Sequence, residues 1–131
     1  VYTLKYLLDT HTLLWYTLND SQLSSTATKL IIDQNNEILI SPASYWEVAI
    51  KVSIGKLTLH QAYTDFIDVC LNQYEFQILP IMPEHTTAVI TLPFHHKDPF
   101  DRLLIAQAMV EKIPIISVDT ALDKYEIQRT W

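Results

Sequence analysis

Five acidic residues occur where a folded domain of this sequence could build a ligand site. Asp98 and Asp101 lie three residues apart in HHKDPFDR, directly before the apolar segment LLIAQAMV. Asp9 follows the apolar run LKYLL, Asp119 follows IPIISV, and Glu47 lies one helical turn beyond EILIS. Carboxylates gathered at one crevice repel one another unless protons or cations neutralise them. Hard oxygen ligands of this kind predict a Mg²⁺ or Mn²⁺ site.

Most of these acids also have a purely structural explanation. Asp98 precedes a proline and fits the cap of a helix, which would place Asp101 in the first helical turn. Asp119 fits a cap for the turn TALDKY. Glu47 and Lys51 are spaced for an i,i+4 ion pair on a helix. The structural and metal-binding interpretations therefore both stand for these four residues.

The elements that would position the acids alternate between strands and helices. Strands are predicted in LKYLL, EILIS, FQILPI and IPIISV, with an edge strand in YEIQRTW. Helices are predicted in THTLLWYTL, TATKLIIDQ, ASYWEVAIKVSI, HQAYTDFIDVCLNQY, PEHTTAVITL and the segment after DPFDR. This alternation predicts one α/β domain over residues 1–131, with a mostly parallel sheet covered on both faces.

The predicted sheet brings the acids to one edge. In open α/β sheets, ligand crevices form at the carboxyl ends of the strands, and right-handed crossovers bring those ends together. Asp9 is the hardest of the acids to explain by structure alone, because an unpaired carboxylate between two apolar segments is costly. Sites of this composition commonly hydrolyse phosphodiesters, with one ion activating a water and a second stabilising the leaving oxygen.

Composition limits the remaining function classes. The net charge of −6 argues against a protein that grips nucleic acid by charge alone, although bound cations reverse the sign of an acidic pocket. The single glycine, Gly55, is predicted to end a helix and leaves no Gly-rich phosphate loop. The apolar runs are too short to span a bilayer. One cysteine, Cys70, and the charged Asp9 within the first apolar stretch lead us to expect a cytoplasmic protein without disulfides.

The histidines offer a competing metal site. His95, His96 and Asp98 are close in sequence, and His11 follows Asp9 by two residues. The pattern H-H-x-D lacks the spacing of a recognised zinc site. We therefore expect His95 and His96 to orient the loop or to approach the substrate.

Four motifs taken together are specific. The order LLDTHTLLW, SPASYWEVAIKVSIGKL, HHKDPFDRLLIAQA and IISVDTALDKY resembles the PIN domain family, and more narrowly the toxins of bacterial VapBC-type toxin–antitoxin modules. The resemblance extends from Asp9 to Trp131. It implies a three-layer, Rossmann-like α/β/α fold and a metal-dependent ribonuclease.

The resemblance also implies roles for individual residues. Asp9, Glu47, Asp101 and Asp119 match the four metal-binding acids of the family, while Asp98 is a cap, an indirect ligand or an extra ligand. Ser117 stands where the family often has threonine. The implied cofactor is Mg²⁺ or Mn²⁺. The implied partners are an RNA substrate, an antitoxin that blocks the site, and a second copy in a homodimer, with aromatic residues of LLWYTL and SYWEV as candidate contacts.

Other charged and polar residues are candidates for substrate binding. Lys51 and Arg102 are expected to contact the phosphate backbone or to neutralise neighbouring acids, with structural ion pairs as the alternative for both. His96 and Ser117 are further candidates. Two other functions stay open at this point: a receiver-like signalling module that binds Mg²⁺, and an inactive PIN-like scaffold. The receiver class would require a lysine just after the last strand of the acidic edge, where this sequence has Asp119 and Thr120.

Overall fold

A computed structural model describes residues 3–131, in which strands and helices alternate. The strands are β1 (Leu4–Leu8), β2 (Asn36–Ile40), β3 (Gln77–Ile78), β4 (Ile115–Ile116) and β5 (Arg129–Thr130). The α-helices are α1 (Thr10–Thr17), α2 (Ser25–Ile32), α3 (Pro42–Ser53), α4 (Tyr63–Asp68), α5 (Pro83–Ile90) and α6 (Pro99–Glu111). A π-helical segment, Val69–Gln73, continues α4, and a 3₁₀ helix spans Thr120–Lys124. The first two residues of the predicted domain lie outside the described range.

All strand pairs are parallel, and the sheet order is β3-β2-β1-β4-β5. From the central β1, the chain first adds β2 and β3 on one side and then β4 and β5 on the other. The direction therefore switches between β1 and β4. Ligands of open α/β sheets bind at such a switch point, beyond the carboxyl ends of the strands.

The sheet separates two apolar cores, because successive strand residues point to opposite faces. Leu8, Ile40 and Ile116 pack with α1 to α4, whereas their neighbours Leu7, Leu39 and Ile115 pack with α6. Helix α5 lies against α6. This arrangement is the predicted three-layer α/β/α fold. Within residues 3–131, no helix is both long and apolar enough to cross a membrane.

Local signals in the sequence explain most element boundaries. The Ser24 and Ser41 side chains accept from the first-turn amides of α2 and α3, and Pro42 begins α3. Gly55 follows the end of α3 with φ of +73°, a conformation that favours glycine. The prediction of a continuous α-helix from His60 to Tyr74 is wrong at both ends: α4 begins at Tyr63 after the extended Ala62, and its last turn is π-helical.

Candidate active site

Three of the predicted acids line one cleft at the carboxyl edge of the sheet. The cleft has a volume of about 270 Å³, and its lining residues are Asp9, His11, Trp15, Asp101, Val118 and Asp119. A smaller recess is lined by the same three aspartates above apolar residues of α6 and β4. The cleft lies at the switch point between β1 and β4. The structure therefore brings together carboxylates that are as far apart in sequence as residues 9 and 119.

The Asp9 carboxylate is held by a backbone donor from α1 and by a side-chain donor that follows β4. It is the N-cap of α1, and its Oδ1 accepts from the Thr12 amide at 2.9 Å. Its Oδ2 accepts a hydrogen bond from the Ser117 hydroxyl. Ser117 is fully buried, and its Oγ in turn accepts from the Asp119 amide at 3.0 Å. One hydroxyl thus ties the carboxylate after β1 to the backbone after β4.

Asp119 is anchored through both carboxylate oxygens. Oδ1 accepts from the Ala121 amide at 3.0 Å, which makes Asp119 the N-cap of the 3₁₀ helix as predicted. Oδ2 lies 2.7 Å from His96 Nε2. Burial acts to raise the pKa of this carboxyl, but the hydrogen bonds from His96 and Ala121 outweigh burial and hold the pKa below its ordinary value. Asp119 is therefore ionised at neutral pH.

Asp98 and Asp101 have different roles at the start of α6. Asp98 Oδ1 accepts from the Phe100 and Asp101 amides at 2.8 and 3.0 Å, so Asp98 is the predicted N-cap ahead of a proline. Burial, followed by the negative charge of Asp98, raises the pKa of the Asp101 carboxyl to about 6. Glu47 and Asp9 act in the same direction, and His96 opposes them. Asp101 therefore experiences the charges of Asp98, Glu47 and Asp9.

Glu47 lies beside this group with a cation of its own. Its carboxylate is mostly buried and is 3.2 Å from Lys51 Nζ, one helical turn further along α3. This is the ion pair that the i,i+4 spacing predicts. Lys51 thus neutralises an acid, one of the two roles expected for it.

The donor set fits a hard divalent cation. Carboxylates from three elements line the cleft, and a cation among them would relieve the repulsion that, together with burial, raises the pKa of Asp101. Within residues 3–131, no three His, Cys, Asp or Glu side chains already stand in ligand geometry. Asp9 and Asp119 instead point oxygens at protein donors, and each oxygen keeps a free lone pair, since one donor occupies only one of the two.

Arg102 does not face the cleft, which corrects its prediction as a phosphate contact. Its side chain is buried, and its two terminal nitrogens donate to four backbone carbonyls, those of Val89, Leu92, Pro93 and His96, at 3.0 to 3.2 Å. The Phe94 ring covers the guanidinium at 4.0 Å. Arg102 therefore fixes the segment that links α5 to α6, and its partners are carbonyls rather than the expected acids.

Ser117 differs from the prediction of substrate contact, and His96 differs from one of the two roles expected for it. Ser117 is fully buried and orients Asp9, so substrate cannot reach it. His96 is largely buried, with Nδ1 at 3.0 Å from the Tyr125 hydroxyl and Nε2 against Asp119. Sequence reasoning missed Tyr125 and Thr12. The spacing of Asp9 and Thr12 is a capping signal that could have been found, whereas nothing in the sequence marks Tyr125 as a partner of His96.

Comparisons with known proteins agree with this architecture. The family model described as PIN domain matches residues 6–128. The VapBC2 complex of Rickettsia felis, bound to a promoter DNA fragment, contains a similar chain with 13% identity and a TM-score of 0.71, covering 97% of this chain and 98% of that one. The DNA-bound VapBC of Salmonella typhimurium has 13% identity, a TM-score of 0.69 and 97% coverage of both chains.

A third similar structure is described by its cleavage activity. Mycobacterium tuberculosis VapC20, a sarcin–ricin loop cleaving toxin, has 13% identity and a TM-score of 0.64, covering 93% of this chain and 95% of that one. At this identity the solved structures establish the fold alone. No curated protein matches the sequence significantly.

Proposed function

The chain belongs to the PIN domain family, and from that premise we propose that it is a metal-dependent endoribonuclease, the toxin of a toxin–antitoxin pair. The observation that carries the proposal is the convergence of Asp9, Asp101 and Asp119 on one cleft at the switch point of the sheet. Two of the similar chains come from VapBC complexes, and a third, VapC20, is described as a sarcin–ricin loop cleaving toxin. Because the PIN domain model matches residues 6–128, the receiver-like signalling module is no longer an alternative.

In this proposal, Asp9, Asp101, Asp119 and Glu47 hold one or two Mg²⁺ or Mn²⁺ ions. A bound divalent cation lowers the pKa of water and stabilises the leaving oxygen of a phosphodiester. The protein supplies the geometry. Asp9 and Asp119 are fixed relative to each other through Ser117. The side chain of Asp98 caps the first turn of α6, the turn that carries Asp101.

Substrate attraction has to arise locally, because the chain carries a net charge of −6. Arg102 is buried and Lys51 is paired with Glu47, so neither provides a free cation at the cleft. We therefore expect weak RNA binding in the presence of a chelator and stronger binding with Mg²⁺ or Mn²⁺. Tight binding in a chelator would contradict this account.

The partner proposals rest on exposed apolar side chains. Of the aromatic residues in SYWEV, Tyr45 is buried, whereas Trp46 is 64% exposed and packs its ring on Phe100 at 5.3 Å. The exposed Ile54, the C-cap residue of α3, follows Trp46 by eight positions, a spacing that recurs along one side of a helix. We assign this face to a homodimer contact. We also propose that the protein is cytoplasmic and that an antitoxin covers its acidic cleft.

The test is an RNA cleavage assay with Mn²⁺ or Mg²⁺, with and without EDTA. Asp101→Asn keeps the size of the side chain but removes a ligand charge, so we expect its cleavage rate to fall by about 100-fold or more, equivalent to several kcal/mol of lost transition-state stabilisation. Glu37→Gln, an equivalent change at the opposite end of the sheet, should retain activity within about 2-fold, as expected for a surface substitution. Cleavage that survives EDTA, or an unaffected Asp101→Asn variant, would contradict the proposal.

A further inference from the structure

A buried histidine connects the acidic cleft to a tyrosine behind it. His96 Nε2 lies 2.7 Å from Asp119 Oδ2, and His96 Nδ1 lies 3.0 Å from the Tyr125 hydroxyl. The side chain of His96 is only 9% exposed, and Tyr125 is buried. Both ring nitrogens of His96 are therefore used inside the protein, and neither is available to a ligand.

The chain of hydrogen bonds has a consistent direction. When the Tyr125 hydroxyl donates to Nδ1, the neutral imidazole carries its proton on Nε2 and donates to Asp119. On the other side of the carboxylate, Asp119 Oδ1 accepts a hydrogen bond from the Ala121 amide. The carboxylate is then fixed in rotation while a lone pair on each oxygen stays free for a cation.

The backbone of His96 is fixed by the helix that carries Asp101. Arg102, the next residue of α6, donates to the carbonyl oxygens of His96 and Pro93 at 3.2 and 3.0 Å. The Tyr125 ring packs against both His95 and His96, with centroid distances of 5.0 and 5.5 Å. The placement of Asp119 is thereby coupled to the start of α6, which carries Asp101, although Asp101 and Asp119 belong to different elements.

We propose that His96 and Tyr125 form a positioning pair that orients Asp119 for a divalent cation. The inference deepens the proposed function, on which its relevance to catalysis rests. Groups that hold a metal-ligating carboxylate typically change metal affinity by about 10- to 100-fold when they are removed. His96 is here a positioning residue and contacts neither substrate nor the reacting atoms.

The test measures Mn²⁺ binding to the metal-free protein by titration calorimetry, without RNA. We expect His96→Ala to raise the Kd for Mn²⁺ by about 10-fold, in the range seen for such supporting residues. His96→Gln, whose amide can still donate to Asp119, should recover part of that loss. Tyr125→Phe keeps the ring and removes the hydroxyl, so it should weaken binding less than His96→Ala.

His85→Gln is the matched control, because His85 is also buried and hydrogen-bonded to a carboxylate, Glu111, at 2.9 Å. Glu111 does not line the acidic cleft, so this variant should leave the Kd for Mn²⁺ unchanged. If His96→Ala does not fold, His96→Gln and Tyr125→Phe decide the question. An unchanged Kd in folded His96 and Tyr125 variants would overturn the proposal.

Cleavage kinetics separate this inference from the proposed function. The His96 variants should need more Mn²⁺ for half-maximal RNA cleavage, while kcat at saturating Mn²⁺ stays within about 3-fold of the wild type, because the ligand itself is retained. Wild-type protein that binds Mn²⁺ but does not cleave RNA would sink the proposed function. In that case the affinity measurements would still test the positioning pair.

Discussion

Acidic clefts occur at both ends of the sheet, and only one of them is organised. At the amino end, Asp33, Glu37 and Glu75 line a cleft of about 300 Å³. Among residues 3–131, Asp33 accepts a hydrogen bond only within its own turn, and Glu37 faces Lys5 across 3.9 Å. The comparison shows that three carboxylates around a cleft do not by themselves build a site.

At the carboxyl end, the acids are partly buried and held by residues distant in sequence. Ser117 holds Asp9 across 108 positions, and His96 holds Asp119 across 23. Burial along the central strand β1 follows the same direction: Leu4 at its start is exposed, whereas Leu7 and Leu8 at its end are fully buried. Burial strengthens every electrostatic interaction among the acids. Long-range support and partial burial thus distinguish the candidate active site from the amino-end cleft.

The largest expected difference in stability involves Arg102. Arg102→Met would leave four carbonyls of the α5–α6 connection without their donor, in a place where water cannot easily replace it. We expect the free energy of unfolding to fall by about 3 kcal/mol, as for other buried charged networks that lose one member. Lys5→Met at the amino end should change it by less than about 0.5 kcal/mol. Urea unfolding would measure the change for both variants. Equal losses for Arg102→Met and Lys5→Met would contradict the claim that the carboxyl end is the more strongly organised end of the sheet.

For Asp101→Asn we expect a smaller change of opposite sign, an increase in the free energy of unfolding. Burial and the neighbouring acids raise the pKa of Asp101 to about 6, from 3.8 as the ordinary value. The folded state therefore binds more protons between these pH values, and its stability falls as the pH rises through this window. In metal-free protein, Asp101→Asn should be the more stable by on the order of 1 kcal/mol at pH 7.5, after allowance for solvent screening.

The difference between Asp101→Asn and the wild type should shrink as the pH falls through this window, and it should disappear only below about 3.8, where the aspartate is also neutral in the unfolded chain. Urea unfolding in EDTA at pH 4.5 and 7.5 would measure this change. Glu37→Gln at the amino end serves as the control and should show no comparable dependence on pH. An Asp101→Asn variant that is less stable than the wild type at pH 7.5 would count against the electrostatic description of the cleft.

Local patterns were sufficient to predict the fold. The apolar runs predicted β1 to β4, and YEIQRTW predicted the edge strand β5. Strands β3, β4 and β5 retain only two residues each, and Pro80 follows closely after β3. The caps at Ser24 and Asp98 and the helix end at Gly55 were also predictable, because their signals lie within a few residues of the boundary. The π-helical end of α4 has no such signal.

The positions of Asp9 and Asp119 at one edge of the sheet were predictable, but the residues that hold their side chains were not. Asp9 and Asp119 follow strands, so topology alone places them at one edge. The sequence makes Arg102 a candidate for phosphate contact or for a structural ion pair and Ser117 a candidate for substrate contact, whereas in the structure both side chains are buried. The contacts of His96 with Asp119 and Tyr125 depend on how the segment before α6 packs. That packing involves residues that are distant in sequence, and no local pattern encodes it.

The most direct test of the central claim is where a divalent cation binds. Substoichiometric Mn²⁺, added to isotope-labelled metal-free protein, broadens the amide signals of residues near the ion. The account predicts early loss of the signals of Asp9, Asp101 and Asp119, with those of Asp33, Glu37 and Glu75 retained, and no selective loss in Asp101→Asn at the same Mn²⁺ concentration. Broadening centred on the amino-end cleft, or equal broadening at both ends, would contradict it.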